Sequence, residues 1–174
     1  MIKPILKQYD EFGILRKPCV EVSVFDEALR ELVCDMWDSM YAAHGVGLAA
    51  TQIGSSLRVA VIDTLQTRNS NRNLVLVNPR IEATGGEQTA EEGCLSMPGL
   101  RWPITRAQVV IVKFQGLNGQ SQTLRARDLL ARAVQHECDH LDGVLCNSKA
   151  NADHEPTDGG PGPIPPGQSS ETKG

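Results

Sequence analysis

Gln135-His136-Glu137-Cys138-Asp139-His140 contains an H-E-x-x-H motif. On a helix its two histidines lie one turn apart on the same face, where both can hold a single metal ion. Glu137 sits beside them, placed to handle a proton of a metal-bound water. Hydrolytic metal sites usually combine three protein ligands with one open position. The motif therefore predicts a third ligand elsewhere in the chain.

The flanking residues support a helix. Asp128 starts it, Leu129, Leu130, Ala133, Val134 and Leu141 form an apolar stripe, and Gly143 is a stop signal. Glu137 falls on the same side, and a core-facing glutamate is costly unless paired or functional. The residues alone leave several third ligands open. Cys146 stands where the pattern H-E-x-x-H-x-x-G-x-x-H has its last histidine, with Gly143 on the glycine. Cys94 lies in the compact segment Glu91 to Gly99. Glu155, Glu171 and His154 fall in a stretch expected to lack order, which cannot hold a preorganised ligand. Cys138, two residues from His136, points away from the metal face. Cys19 and Cys34 read as ordinary small apolar residues. Spacing leaves Cys94 and Cys146 in competition.

The 174 residues suffice for one domain with a real core, and a net charge of -4 offers no basic footprint for nucleic acid. No apolar run is long enough to span a membrane. Met1 to Pro18 lacks the features of a secretion signal, and the odd count of five cysteines favours a reducing compartment. A cytoplasmic location is the expectation.

Met1 to Val22 is expected to be an extended arm packing on the domain. Ser23 to His44 reads as a long helix, with Phe25, Leu29, Leu32, Val33, Met36 and Met40 on one face, Ser23 or Asp26 as cap and Gly45 as its end. Small residues then crowd Gly45 to Gly54, a loop that lets a backbone or ligand approach closely. Leu57 to Asp63 and Asn73 to Ile81 read as strands, with polar loops at Gln66 to Arg72 and Ala83 to Thr89. Ile104 to Phe114 reads as one strand, Leu117 to Gln120 as a hairpin turn and Ser121 to Arg125 as the return strand. The Pro/Gly-rich composition after Cys146 predicts a disordered tail over 147-174 behind a domain of 1-146.

Three segments in order carry a resemblance: Gly45-Val46-Gly47-Leu48-Ala49-Ala50-Thr51-Gln52, Glu92-Gly93-Cys94-Leu95-Ser96, and Gln135-His136-Glu137-Cys138-Asp139-His140-Leu141-Asp142-Gly143. They resemble the G-x-G-L-A-A-x-Q, E-G-C-L-S and Q-H-E-x-D-H-L-x-G motifs of the peptide deformylase family. The resemblance implies Cys94 as the third ligand beside His136 and His140, leaving Cys146 outside the set. It implies an α+β fold, with antiparallel strands packed around a central helix carrying the H-E-x-x-H motif and a long N-terminal helix. The implied reaction removes the N-formyl group from the N-terminal formyl-methionine of newly made polypeptides and releases formate. The implied cofactor is Fe2+, with Zn2+, Ni2+ or Co2+ able to occupy the site in isolated protein.

The same resemblance assigns Glu137 as the proton carrier, and the Gln52 amide and Leu95 N–H as donors to the developing oxyanion. It lays the peptide along Gly45, Val46 and Gly47, gives Arg101 a hold on the substrate backbone, and places Leu129 and Ala133 in the methionine pocket. Formyl-Met nascent polypeptides are the implied partners, near the ribosome, with a monomeric enzyme and neither a specific nucleic-acid sequence nor a membrane. Three departures from the family pattern stand out. His44 precedes the first motif, Arg132 should make the pocket rim more polar, and Cys146-Asn147-Ser148 replaces the usual large apolar residue after Leu145.

Overall fold

The computed structural model describes residues 1-11, 13-67, 73-150 and 156-158. Its first long element is helix α1, Glu27–Ala42, which begins later than Ser23 because Asp26 is the cap, accepting from the Leu29 N–H at 3.1 Å. Leu29, Val33, Met36 and Met40 are its buried face. The helix ends through His44, whose φ of 55° is left-handed, rather than through Gly45. The Gly45 N–H then returns to the Met40 carbonyl at 2.9 Å.

Five strands form one antiparallel sheet: β1 (Gly47–Ala49), β2 (Val59–Ile62), β3 (Leu74–Gly85), β6 (Val109–Gln115) and β7 (Ser121–Arg127), in the order β1-β2-β3-β6-β7. A smaller sheet holds β4 (Gln88–Cys94), β5 (Met97–Arg106) and β8 (Thr157–Asp158), in the order β4-β5-β8. The loop expected over Ala83 to Thr89 shrinks to Gly86-Glu87, with Gly86 at a φ of 63°. Strand β5 also runs through Pro98 and Gly99, the end of the compact segment Glu91 to Gly99.

The single strand expected over Ile104 to Phe114 is two, broken at Ala107-Gln108. The break is imposed from outside. Gln135 accepts from the Ala107 N–H at 3.1 Å and donates to its carbonyl at 2.9 Å, while the Gln108 carbonyl takes the Asp128 N–H at 2.8 Å.

Helix α2, Asp128–Leu141, lays Leu130, Ala131, Val134, Cys138 and Leu141 against Ala49, Ala60, Ile62, Leu76, Val110, Val112, Phe114 and Ala126 of the larger sheet. Leu129, expected on this stripe, is instead 45% exposed. Gly143 ends the helix turn at a φ of 76°, and a Cβ there would meet the Arg16 backbone at 2.8 Å. A second core joins α1 to β1 and β2; a third holds Leu15, Cys94, Met97, Trp102, Ile104, Leu145 and Cys146. Among the described residues no helix is long and apolar enough to cross a membrane.

The N-terminal arm runs across these elements and braces the segments that carry the motifs. Its Leu6 N–H donates to the Gln52 carbonyl at 2.8 Å, Gln8 to Ser96 at 3.0 Å and Cys19 to Leu141 at 2.8 Å. The expected disordered tail is corrected at its described residues. Asn147 to Lys149 continue a 3-10 turn that starts at Cys146, and Thr157–Asp158 pair with Leu100 and Arg101. The rest of that tail, and positions 68-72 of the expected Gln66 to Arg72 loop, lie outside the described residues.

Candidate metal centre

Strand β4 ends on Cys94, and α2 presents His136 and His140 toward it. One ligand atom from each of the three lies within 4.8 Å of the others. His140 Nε2 is 3.2 Å from the Cys94 sulfur, and the two imidazoles sit edge to face with centroids 4.9 Å apart. Among the described residues Cys146 is not part of this converging set, although it shares a buried cluster with Cys94 and its thiol interacts with the Cys94 side chain. That contact lowers the Cys94 thiol well below its ordinary range, against burial and together with both histidines. The same contact, with burial, pushes the Cys146 thiol far up. Glu155, Glu171 and His154 lie outside the described residues. Cys138 packs into the core, as its place on the helix requires, and burial raises its thiol to about 12. Of the cysteines read as small apolar residues, Cys19 is half-buried and Cys34 exposed.

Glu137 is 3% exposed, and its Oε2 has no hydrogen-bond partner among the described atoms. Burial raises its carboxyl above the ordinary value, against the pull of His136 and His140. Its other oxygen packs on the backbone of Gly47. The small-residue loop thus has a concrete reason to be small: a carboxylate occupies the space of a side chain.

Gln52 is held by both ends. Its Oε1 accepts from the Ala49 N–H at 2.9 Å, which turns its Nε2 toward the Cys94 sulfur at 3.7 Å and Ser96 Oγ at 3.2 Å. Leu95 lies in the two-residue turn between β4 and β5, where its carbonyl accepts from Lys7 Nζ at 3.1 Å. A Cβ on the buried Gly45 would come within 2.7 Å of the Leu95 side chain. Val46, just before β1, and Gly47, its first residue, are half-buried, and β1 is the edge strand of the larger sheet. Arg101 lies across from Gly93 in the β4–β5 register, with its Cγ 3.6 Å from where a Gly93 Cβ would be. Leu129, Ala133 and His136 follow one another along the less buried side of α2.

Sequence reasoning missed the charged cluster behind the histidines. Glu92 is buried and accepts from His136 at Nδ1 (3.0 Å), from Arg106 through two nitrogens (2.6 and 2.9 Å) and from Arg132 (2.5 Å). Burial alone would raise the Glu92 carboxyl, but the bonds from His136 and Arg106 bring it down to about 2. Arg106 reaches on to Asp139 at 2.7 Å, and that pairing with Glu92 raises its guanidinium against burial. Arg132 does not roughen a pocket rim. It is 5% exposed and also donates to the carbonyls of Gln88 and Ile104, tying α2 to β4 and β5. The Glu92 bond fixes the His136 tautomer and leaves Nε2 free for a ligand, the usual support of a metal-binding imidazole. Glu92 was visible in its motif, but its role depends on two arginines far away in sequence.

A thiolate and two imidazoles converging beside a buried carboxylate with an unpartnered oxygen define a metallohydrolase site in an α+β fold. The polypeptide deformylase family model matches residues 2-155. The peptide deformylase of Acidobacterium capsulatum is 49% identical over 145 residues, covering 83% of this chain and 84% of that protein. A peptide deformylase crystal structure from Legionella pneumophila matches with a TM-score of 0.81 at 43% identity, covering 87% of this chain and 88% of that one. A Synechococcus elongatus peptide deformylase structure in complex with actinonin matches at 0.80 and 40%, covering 86% and 80%. The chain belongs to the peptide deformylase family, metal-dependent hydrolases that remove the N-formyl group from new polypeptides.

Proposed function

We propose that Cys94, His136 and His140 hold Fe2+ and that the surrounding residues hydrolyse the formamide bond of N-terminal formyl-methionine, releasing formate. The observation that carries the reading is the convergence of the three ligand atoms beside the unpartnered Glu137 oxygen. The donor set fits a borderline or soft divalent ion, so Zn2+, Ni2+ or Co2+ also suit it. When bound, the metal supplies the Lewis acidity that makes water nucleophilic near neutral pH.

Glu137 accepts the attacking water's proton and passes it to the departing amine. The Gln52 Nε2–H and the Leu95 N–H donate to the oxygen on which charge develops. Gln52 is prepared for this by its bond to the Ala49 N–H, which leaves only its amino end facing the centre. The peptide adds as a strand beside Gly45, Val46 and Gly47 at the edge of the larger sheet. Arg101 holds the substrate backbone. Val46, Leu129, Ala133 and the His136 ring receive the methionine side chain, which explains an exposed leucine on an otherwise packed helix.

In this reading α2 is the central scaffold and residues 1-146 carry the catalytic unit. The enzyme works as a cytoplasmic monomer close to the ribosome. The test is formate release from a formyl-Met peptide by anaerobically purified, iron-loaded protein, with metal analysis on the same sample. Metal-replete protein that releases no formate overturns the reading.

A further inference from the structure

The contact between Cys146 and Cys94 has no part in the hydrolysis. Cys94 closes β4, and Cys146 opens the 3-10 turn after α2. Fifty-one residues of chain lie between two thiols that meet in one buried cluster, walled by Leu15, Met97, Trp102, Ile104 and Leu145. Cys94 is 8% exposed and Cys146 2%. Their side chains interact within that cluster. A disulfide bond requires the two sulfurs to reach ~2 Å of each other.

We propose that Cys146 is a resolving cysteine for Cys94, so that a peroxide oxidant joins the two in a disulfide that withdraws the thiolate from the metal centre. It rests on the reading of Cys94 as a metal ligand. The Cys94 sulfur attacks one peroxide oxygen, the O–O bond breaks, and hydroxide leaves and is protonated to water. The Cys146 sulfur then attacks the Cys94 sulfenic acid. The S–O bond breaks, and the thiol proton leaves with that oxygen as a second water. Two thiols have lost two electrons and the peroxide has gained them. The sulfur left on Cys94 carries no negative charge and is a poor ligand, so the metal is released. Without a neighbouring thiol a sulfenic acid proceeds to sulfinic and sulfonic acids, which simple thiols do not reverse. Cys146 therefore makes oxidation of the ligand reversible.

The test treats metal-loaded full-length protein with hydrogen peroxide under anaerobic conditions. Three readouts are followed: disulfide-linked peptides by mass mapping, metal release by a chromogenic chelator, and recovery of metal binding after dithiothreitol and fresh metal. The wild type is expected to lose two of its five thiols, give a Cys94–Cys146 linked peptide, release metal and regain it on reduction. Cys146→Ser and Cys146→Ala should instead accumulate sulfinic or sulfonic Cys94 and recover at least tenfold less metal binding. Two variants guard against one that fails to fold. A wild type without the linked peptide, one that keeps its metal after linking, or variants that recover as well as the wild type would overturn the proposal. Metal bound before oxidation, measured on the same samples, checks the ligand reading separately.

Discussion

Gly47 packs directly against the carboxylate of Glu137: a Cβ built on it would overlap Oε1 and lie 3.0 Å from Cδ. Backbone and carboxylate share one space, so the loop after α1 sets where the proposed proton carrier stands. Gly47→Ala should displace Glu137 without touching a ligand. Misplacing a catalytic group by an ångström costs roughly 10²-fold in rate. The expected result is formate release slowed by about that factor with metal content unchanged. Full activity in Gly47→Ala would show that the carboxylate has room to spare.

Glu137 itself supplies a second test. It is no ligand in the proposed site, so Glu137→Ala and Glu137→Gln should bind metal as the wild type does and lose roughly 10²–10⁴-fold in kcat. Loss of metal from either variant refutes the assigned role. The pH profile has a definite sign. Burial raises the Glu137 carboxyl, and the base must be ionised to accept a proton. Activity therefore falls as pH falls through that raised value, and the acidic limb of kcat/KM lies above the ordinary carboxylate range of about 4.3. An acidic limb that persists unchanged in the residual activity of Glu137→Gln argues for another base.

Glu92 joins His136 to two buried arginines. Glu92→Gln keeps the shape but takes the countercharge from Arg132 and leaves Arg106 with Asp139 alone. Breaking a buried pair from one side costs about 3–5 kcal/mol, and losing a histidine's supporting partner costs roughly 10–100-fold in metal affinity. Denaturant unfolding and metal titration measure the two effects. Wild-type stability should also carry the signature of the Glu92 carboxyl, lowered from 4.5 to about 2. Its folded value is depressed, so its contribution is complete above the ordinary value and is lost as pH falls from about 4.5 toward 2. Glu92→Gln should remove that portion of the acid sensitivity.

Much of the site was legible because its chemistry is local. His136, Glu137 and His140 sit at helical spacing, and α2 spans Asp128–Leu141, from the residue read as its start to just before the glycine read as its stop. Choosing Cys94 over Cys146 needed the family motifs, since both thiols are adjacent in space and spacing cannot separate them. The charged cluster was illegible for a different reason. Arginine is ordinarily a surface residue, and Arg106 and Arg132 are buried only because Glu92, Asp139 and several carbonyls meet them from distant segments. The break between β5 and β6 was equally hidden. Val109-Val110-Ile111-Val112 reads as continuous strand, and the turn before it exists because the Gln135 side chain clamps Ala107 from α2.

Gln52 offers the sharpest separation of chemistry from binding. Its oxygen is committed to the Ala49 N–H, and its nitrogen faces the Cys94 sulfur and Ser96. Gln52→Glu keeps the acceptor for Ala49 but replaces the donor with a negative oxygen, where negative charge must develop. Gln52→Ala removes both functions. A lost oxyanion donor costs roughly 10²–10³-fold in kcat, and the like charge adds to that, so Gln52→Glu should be the slower of the two despite its closer shape. Neither change removes a ligand, so metal content should stay at the wild-type level. Steady-state formate release with metal analysis decides it. If Gln52→Glu outperforms Gln52→Ala, then Gln52 serves to hold the loop rather than to donate to the reacting oxygen.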